Sequence, residues 1–502
     1  MRVTAIARES TDAPFEARLT RERRRATGAF FTPAPVADAL AAVALDGLPD
    51  SSRVCDPACG AGAMLLAAGR ALVARGAPRA RVAAEQLWGI DSDPDTVAEA
   101  RAAIVAWSGV DPAAHLVVGD GLRAAERWPS QFDVVLGNPP FLNQLQRVTT
   151  RSVAVPDELA AVVRPYTDTA WLFLAAAPAL VRRGGRVVLI QPQSVAAARD
   201  AGPIRSQLRE VAALEGMWSS YEPVFDAAVR VCAPVLRVGV EAPREVQRWS
   251  GPRVESAVSV PPPSHSTWSP LLVGPDPPPP ITFDASTGRV GDLATATAGF
   301  RDEFYGLAAF VVDRRTARDA THPRLITTAL VEPAELVWGR RPVRFAGRRF
   351  ETPRVDLGAL ERAGSPRVAR WVDARLVPKA LVATQTAVIE AAADVDGLVV
   401  PSTPVISVEG GDPWLVVAAL TAPPASAWAV THTGGTALSA TAIKLAARQV
   451  LDVPLPRDRD LWRRGADLLA AGELLAAAEV LNAAHGAGDE ILAWWSRRGP
   501  SK

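Results

Sequence analysis

An amide side chain, two prolines and an aromatic ring end an apolar run in the segment VLGNPPF, residues 135–141. The prolines fix the backbone φ angle and remove N–H donors. The amide oxygen of Asn138 and the carbonyl oxygen of Pro139 can therefore act as rigidly placed hydrogen-bond acceptors, next to the flat face of Phe141. The alternative interpretation is purely structural: a strand followed by a proline turn, with Phe141 in the core.

Three further segments end predicted strands with an aspartate. The segments are VCDPACGAG, with Asp56 followed by a glycine turn, LWGID, with Asp91, and HLVVGD, with Asp120. Glycines let a backbone approach a ligand closely, and open α/β sheets bind ligands outside the carboxyl ends of their strands. Asp91 can hold both hydroxyls of a ribose at this edge. The alternative is that each aspartate caps the helix that follows it.

The elements that must position these residues alternate along the chain. From about residue 30 to 240, apolar runs of strand length alternate with alanine-rich stretches of helical periodicity. This alternation predicts an α/β fold, a Rossmann-like, mostly parallel sheet with helices on both faces. The predicted domains are a catalytic domain at 1–245, a Pro-rich linker at 246–283, a mixed α+β domain at 284–456 and C-terminal helices at 457–502.

Composition excludes several classes of protein. The longest apolar stretch, residues 169–181, is too short to cross a bilayer, and the N-terminus has no apolar signal core, so we expect a cytoplasmic protein without a membrane partner. Three cysteines make neither a disulfide framework nor a zinc ligand set, and no metal site is predicted. The net charge of +1 argues neither for nor against a polyanionic partner, because a local basic surface can exist within a balanced total.

In their order and spacing, DPACGAG, GIDSDP, VVGDGL and FDVVLGNPPF resemble the motifs of S-adenosylmethionine-dependent methyltransferases that methylate adenine N6 in DNA. Upstream, TGAFFTPAPVADAL is similar to their Gly-x-Phe-x-Thr-Pro segment, and PVFDAAVRVCAPVLRV resembles their late hairpin, which contacts the extruded base. The resemblance spans about Ala26 to Val240. The order of parts resembles restriction–modification enzymes in which a target recognition domain follows the catalytic domain.

The resemblance implies a role for each motif residue. Asn138 and Pro139, followed by Pro140, would accept the two N6–H bonds of a flipped adenine, and Phe141 and Phe225 would contact its ring. Many relatives carry tyrosine where this chain has Phe141, and we expect activity to survive. The residues implied to bind the cofactor S-adenosyl-L-methionine are Thr32, Pro33, Asp56, Ala58, Gly60, Asp91, Asp120, Gly121 and Leu122.

A local excess of positive charge indicates the DNA-binding region. Residues 338–379 contain eleven basic and four acidic residues, a surplus that suits contacts with phosphates and guanine edges. The predicted DNA-binding residues are Arg340, Arg341, Arg348 and Arg349. A solvated, arginine-rich face is the alternative.

The function that follows is methylation of a flipped adenine at N6 in a specific sequence of double-stranded DNA. The chain would be the modification arm of a restriction–modification or phage-defence system, with any nuclease on a separate subunit. Two alternatives stay open at the level of sequence. One is a protein glutamine N-methyltransferase, because a side-chain amide poses the same lone-pair problem, and the other is a catalytically silent DNA-binding subunit.

Overall fold

The computed structural model describes residues 32–499, except for 113, 142–154, 221, 226–228, 252–255, 264–266, 275, 300, 316–318, 364–365, 436 and 438–441. Of the predicted Gly-x-Phe-x-Thr-Pro segment, only Thr32 and Pro33 lie within the described residues. The chain divides into two compact units, Met1–Leu272 and Val273–Lys502.

The first unit alternates strands and helices, as its sequence predicts. Its strands β1 to β10 are Val54–Asp56, Leu87–Asp91, Leu116–Val118, Phe132–Gly137, Val181–Leu189, Gln191–Pro192, Ala212–Ser219, Val231–Val238, Val246–Ser250 and Ser256–Val260. Its helices α1 to α8 are Ala34–Leu45, Ala63–Ala74, Arg79–Arg81, Pro94–Ser108, Ala124–Arg127, Asp157–Ala160, Thr169–Ala176 and Gly202–Val211.

These strands form one ten-stranded sheet in the order β10–β9–β7–β8–β5–β4–β1–β2–β3, with β6 paired to β8. The strands from β3 to β5 in this order are all parallel, whereas β8 runs antiparallel to both β5 and β7. The carboxyl ends of β1, β2, β3 and β4 therefore meet at one edge. This is the edge at which the sequence predicts a ligand site.

Helices cover both faces of this sheet, because successive strand residues point to opposite sides. Val54 and Val134 pack in a core with α1 and α2, while their neighbours Cys55 and Val135 pack in a second core with α7 and α8. All six residues of β4 are buried, as expected for a central strand that is covered on both faces. The predicted α/β fold class is confirmed.

The boundary of the first unit differs from the predicted linker at 246–283. Strand β9 pairs in parallel with β7, and β10 pairs with β9. Trp268 and Leu271 also pack into the core of the first unit. The reason is that the run of prolines begins only at Pro261, so the residues before it keep the backbone donors that sheet pairing needs.

The second unit mixes short strands with helices. Its strands β11 to β22 are Thr295–Ala298, Val311–Asp313, Arg324–Ile326, Val331–Glu332, Glu335–Leu336, Val343–Phe345, Arg348–Phe350, Pro353–Val355, Lys379–Val382, Ala391–Asp394, Val399–Pro401 and Ile406–Glu409. Its helices α9 to α17 are Arg301–Leu307, Leu357–Arg362, Pro366–Asp373, Pro413–Thr421, Pro423–Thr433, Ala447–Leu451, Arg459–Ala470, Leu474–Ala484 and Asp489–Arg498.

Two four-stranded sheets organise this unit, in the orders β11–β22–β19–β20 and β12–β18–β13–β21, and β14–β15 and β16–β17 form separate hairpins. Helices α15 and α16, which the sequence assigned to a separate C-terminal segment, contribute Trp462, Leu469 and Leu481 to the same core as α12 and β22. Their apolar faces need this partner surface, so residues 457–499 pack with the domain that precedes them.

Among the described residues, no single helix is long and apolar enough to span a membrane. Helices α12 and α13 together reach that length and hydropathy, but they bend by 65° at their junction. Most of their residues are buried within the second unit.

Candidate active site

The turn after β1 links two of the strand-end aspartates. The Ala58 N–H donates to Asp56 Oδ1 at 3.0 Å, and the Gly60 N–H donates to Asp91 Oδ2 at 2.9 Å. Gly60 has a φ of +47°, in the left-handed region, and a Cβ added there would meet nothing within 4 Å. The turn therefore presents open backbone between two carboxylates.

Capping explains the strand-end aspartates only in part. Helix α2 begins after Gly62, and α4 is capped by Asp93, whose carboxylate accepts from the Asp95 N–H. Neither helix uses Asp56 or Asp91 as its cap. Asp120 does cap a short turn, because its Oδ1 accepts from the Leu122 N–H at 2.9 Å. Helix capping therefore accounts for one contact of Asp120, made by its Oδ1, and for none of the contacts of Asp56 and Asp91 described above.

The surroundings of Asp56 raise the pKa of its carboxyl group. Its side chain is buried, with 1% exposure. Burial raises its pKa to about 7, the hydrogen bond from Ala58 opposes that shift, and the charge of nearby Asp91 adds to it. A buried carboxylate of this kind is stabilised in its ionised form by a cation placed beside it. The site is thus suited to a ligand that carries positive charge.

Gly137, the last residue of β4, makes room for Asp56. A Cβ at Gly137 would lie 2.4 Å from Asp56 Oδ1, well inside contact distance, so only glycine allows the carboxylate to lie against β4. Sequence reasoning missed this role. The signal that could have found it is a glycine at the end of an otherwise apolar, fully buried strand, where a missing side chain often marks a close approach.

Gly121 makes a second close approach at the same edge. A Cβ at Gly121 would lie 1.7 Å from the carbonyl oxygen of Pro57, so the turn after β3 packs directly against the turn after β1. Gly121 and Leu122 are buried, whereas Asp120 is exposed. The structure therefore brings the third predicted cofactor segment next to the first.

Asn138 is held by a residue from the start of the described chain. Its Nδ2 donates to the Oγ1 of Thr32 at 3.0 Å, and Thr32 is buried, with 3% exposure. Pro33 follows Thr32 and begins α1, accepting from the N–H groups of Val36 and Ala37. Because the nitrogen end of the Asn138 amide donates to Thr32, this bond fixes the direction in which its Oδ1 acceptor points.

The two predicted aromatic residues lie together. The rings of Phe141 and Phe225 are 6.1 Å apart between centroids, in an edge-on arrangement with 67° between their planes. Phe225 is buried and Phe141 is half-buried. A pair of this geometry presents one ring face and one ring edge, which suits contact with a flat base.

These residues fit the cofactor that the resemblance implies. S-adenosylmethionine carries two positive charges, and a cation beside Asp56 would favour the ionised form of a carboxyl whose pKa burial raises to about 7. The open backbone at Gly60 offers space, and Asp91 and Asp120 supply acceptors at the adjoining strand ends. Among the described residues, no group of three or more His, Cys, Asp or Glu side chains could hold a metal ion.

The predicted DNA-binding arginines fall into two sets. Arg340 and Arg341 form ion pairs with Glu335 at 2.5 Å and with Glu332 at 3.2 Å. Arg348 lies over the ring of Phe350 at 5.0 Å, and Arg349 pairs with Glu351 at 3.3 Å. Three of the four arginines therefore lie beside a glutamate, whereas Arg348 lies over an aromatic ring.

Other basic residues of 338–379 are structural. Lys379 is buried in an ion pair with Asp394, and Arg354 is buried at 1% exposure with hydrogen bonds to backbone carbonyls. Arg375 pairs with Glu409 at 3.0 Å. The local charge excess counted along the sequence is thus partly cancelled by acidic residues outside that window.

Comparison with known proteins identifies a family match within the first unit. Residues 16–243 match the family model of the N-6 DNA methylases, and no curated protein matches the chain. Among solved structures, the type IIL restriction-modification enzyme MmeI in complex with DNA is 12% identical with a TM-score of 0.54, over 90% of this chain and 71% of that one. The match to MmeI therefore includes residues of the second unit.

Two other solved structures are similar. A nuclease-deletion mutant of the type ISP restriction-modification enzyme LlaGI, in complex with a DNA substrate mimic, is 10% identical with a TM-score of 0.50, over 88% of this chain and 47% of that one. A putative class I S-adenosylmethionine-dependent methyltransferase from Listeria monocytogenes is 17% identical with a TM-score of 0.35, over 45% of this chain and 67% of that one. The likeness to MmeI and LlaGI shows a shared fold.

The family match confirms the resemblance that the four strand-end motifs indicated. Residues 16–243 match the N-6 DNA methylase family model, and the chain is an adenine-specific DNA methyltransferase that uses S-adenosyl-L-methionine.

Proposed function

We propose that this chain methylates N6 of an adenine flipped out of a specific DNA sequence, with Asn138, Pro139 and Phe141 as the residues that bind the target base. The observation that carries this proposal is the hydrogen bond from Asn138 Nδ2 to Thr32 Oγ1. It orients the amide of Asn138, which is followed in the chain by Pro139, Pro140 and Phe141.

The amino group of adenine is a poor nucleophile, because its lone pair is spread into the ring. Asn138 Oδ1 and the Pro139 carbonyl oxygen accept the two N6–H bonds and favour a tetrahedral nitrogen, on which the lone pair is localised. Methyl transfer needs this in-line positioning more than it needs a strong base. The methylated nitrogen is briefly cationic and then loses one proton to water.

Phe141 stacks on the extruded base, and Phe225 contacts its edge. A flipped base loses its stacking partners in the duplex, and stacking on an aromatic side chain returns about 1–3 kcal/mol per base. Pro140 continues the rigid turn and keeps Phe141 in place. The edge-on geometry of the two rings supports this division of roles.

S-adenosyl-L-methionine supplies the methyl group as part of a sulfonium cation. We propose that Asp56, with the backbone of Ala58 and Gly60 and with Thr32 and Pro33, holds its amino acid part. Asp91 binds its ribose hydroxyls. Its adenine ring lies against Gly121 and Leu122, with the exocyclic amine donating to Asp120.

We further propose that the second unit, including residues 284–456, recognises the target sequence. The fold likeness to MmeI extends into this unit, and that structure contains DNA. MmeI and LlaGI are restriction-modification enzymes, which supports a role for this chain as the modification arm of a restriction–modification or phage-defence system. Its partners would be double-stranded DNA and a separate restriction or defence subunit.

Asn138→Ala tests the proposed catalytic role. The full chain is incubated with plasmid DNA and cofactor labelled in the methyl group, and N6-methyladenine is measured in the digested nucleosides. Asn138→Ala should abolish turnover and leave cofactor affinity by calorimetry nearly unchanged, because its acceptor acts only on the base. Full turnover in this variant would refute the role of Asn138, and sequencing of the methylated DNA would identify the target sequence.

A further inference from the structure

The hairpin formed by β16 and β17 is anchored on one face only. Val343, Phe345 and Phe350 are buried in the cores of the second unit. The two strands are joined by Ala346 and Gly347, with φ angles of +47° and +81°, so both turn residues are left-handed, as in the tight turns that favour a twisted two-stranded ribbon. The ribbon is therefore rigidly attached, while its other face and its tip are exposed.

The exposed face carries arginines that face each other. Arg344 and Arg349 are directly opposite in the antiparallel register. Arg348 stands next to the turn, opposite Phe345, with its exposed side chain over the ring of Phe350. Like charges directly opposite each other destabilise a hairpin. Arg349 has an exposed pair with Glu351 at 3.3 Å, but no acidic side chain in the described part of the chain forms an ion pair with Arg344 or Arg348. The fold thus holds this positive charge close together, with the exposed Arg349–Glu351 pair as the ion pair of these three arginines among the described residues.

Arg340 and Arg341, a few residues earlier, are compensated. Each has its own glutamate, Glu335 and Glu332. Arg341 also lies close enough to Glu390 to lower the pKa of that carboxyl, against the larger raising effects of burial and of Glu332. A phosphate would have to compete with these carboxylates, and the exchange would release few counterions.

We propose that the hairpin β16–β17 is a DNA-binding ribbon, in which Arg344, Arg348 and Arg349 contact phosphates of the duplex, while Arg340 and Arg341 hold the surrounding loop in place. The inference rests on the proposed role of the second unit in DNA recognition. A two-stranded ribbon is narrow enough to enter the major groove. A polyanion neutralises the opposed guanidinium groups, which explains why the pair is tolerated on an exposed face.

Two double variants of the full chain, each losing two positive charges, separate the two sets. Arg344→Gln with Arg348→Gln changes the ribbon, and Arg340→Gln with Arg341→Gln is the matched control. The affinity for a duplex that contains the target sequence is measured against salt concentration. The slope of log affinity against log salt should become less steep by about 1.8 in the ribbon variant, at about 0.9 per phosphate. It should stay unchanged in the control.

A third variant, Arg344→Lys with Arg348→Lys, should keep the slope of the unmodified chain, because a phosphate contact needs charge rather than the planar guanidinium. Cofactor binding by calorimetry and the thermal midpoint verify that each variant is folded. The assignment of the ribbon would be overturned if the ribbon variant kept the salt slope of the unmodified chain. It would also be overturned if the slope became less steep only in the control variant. If the unmodified chain bound no DNA, both this inference and the proposed recognition role would be refuted.

Discussion

The hydrogen bond between Thr32 and Asn138 makes a sharp prediction about catalysis. Thr32→Val keeps the shape of a side chain that is 3% exposed and removes only the acceptor for Asn138 Nδ2, which lies 3.0 Å from Oγ1. A buried donor that loses its acceptor costs about 1–3 kcal/mol. We expect the Asn138 amide to turn toward other partners, so that its oxygen is no longer held in the direction of the N6–H bond.

The cost can be converted into a rate. Each 1.36 kcal/mol corresponds to a tenfold change, so kcat should fall by about 5- to 160-fold in Thr32→Val. Thr32→Ser, which keeps the hydroxyl, should restore most of the rate. The assay is methyl incorporation into target DNA at saturating cofactor, with the cofactor dissociation constant measured separately by calorimetry. This design matters because Thr32 is also a proposed cofactor-binding residue.

The two roles give different results. If Thr32 acts only on the cofactor, the valine variant raises the KM and the dissociation constant for the cofactor and keeps kcat. Thr267→Val is a matched control, because Thr267 is also buried and its hydroxyl donates to the Ala196 carbonyl at 3.0 Å. That variant should lose stability and keep kcat. A Thr32→Val enzyme with unchanged kcat at saturation would refute the positioning role.

Three further predictions concern the cofactor and base sites. Because the pKa of Asp56 is raised to about 7, cofactor affinity by calorimetry should rise with pH through 7 and level off above it. Because the folded state holds this proton more tightly than the unfolded state, the protein without cofactor should lose stability as pH rises toward 7. Asp56→Asn should remove the pH dependence of cofactor affinity and that of the unfolding free energy. Gly137→Ala, whose new methyl group would lie 2.4 Å from Asp56 Oδ1, should weaken cofactor binding by at least about tenfold, or 1.4 kcal/mol, and unchanged calorimetric affinity would contradict the proposed close packing. Phe141→Tyr should stay active. Phe141→Ala should bind target DNA with a mismatched adenine about 5- to 160-fold more weakly than the unmodified chain, the equivalent of about 1–3 kcal/mol of stacking. Equal DNA affinity of the two variants would exclude stacking on this ring.

Local sequence was enough to predict the catalytic edge. Each strand-end motif combines an apolar run with a polar residue at its end, and parallel order then brings Asp56, Asp91 and Asn138 to one side of the sheet. The apolar run and the polar residue that ends it lie within a few residues of each other in each motif. The α/β class and the positions of most strands could therefore be predicted without tertiary structure, and the resemblance of the motifs to a known family implied the cofactor.

Contacts between distant segments were decided only by the tertiary structure. Thr32 and Asn138 are 106 residues apart, and no periodicity couples them. Gly137 has its role because another strand brings Asp56 beside it. Strand β9 joins the sheet by pairing with β7, although the sequence assigned its residues to the linker rather than to the catalytic domain.

The arginines of residues 338–379 also show what sequence determines and what only the tertiary structure decides. The composition of residues 338–379 determines how many arginines are present, but each arginine acts according to the side chain beside it. Glu332 and Glu335 hold Arg341 and Arg340, and Asp394 holds Lys379, all from outside that window. Electrostatic interaction depends on distance in space rather than in sequence, so only the folded chain shows which arginines lie beside an acidic side chain.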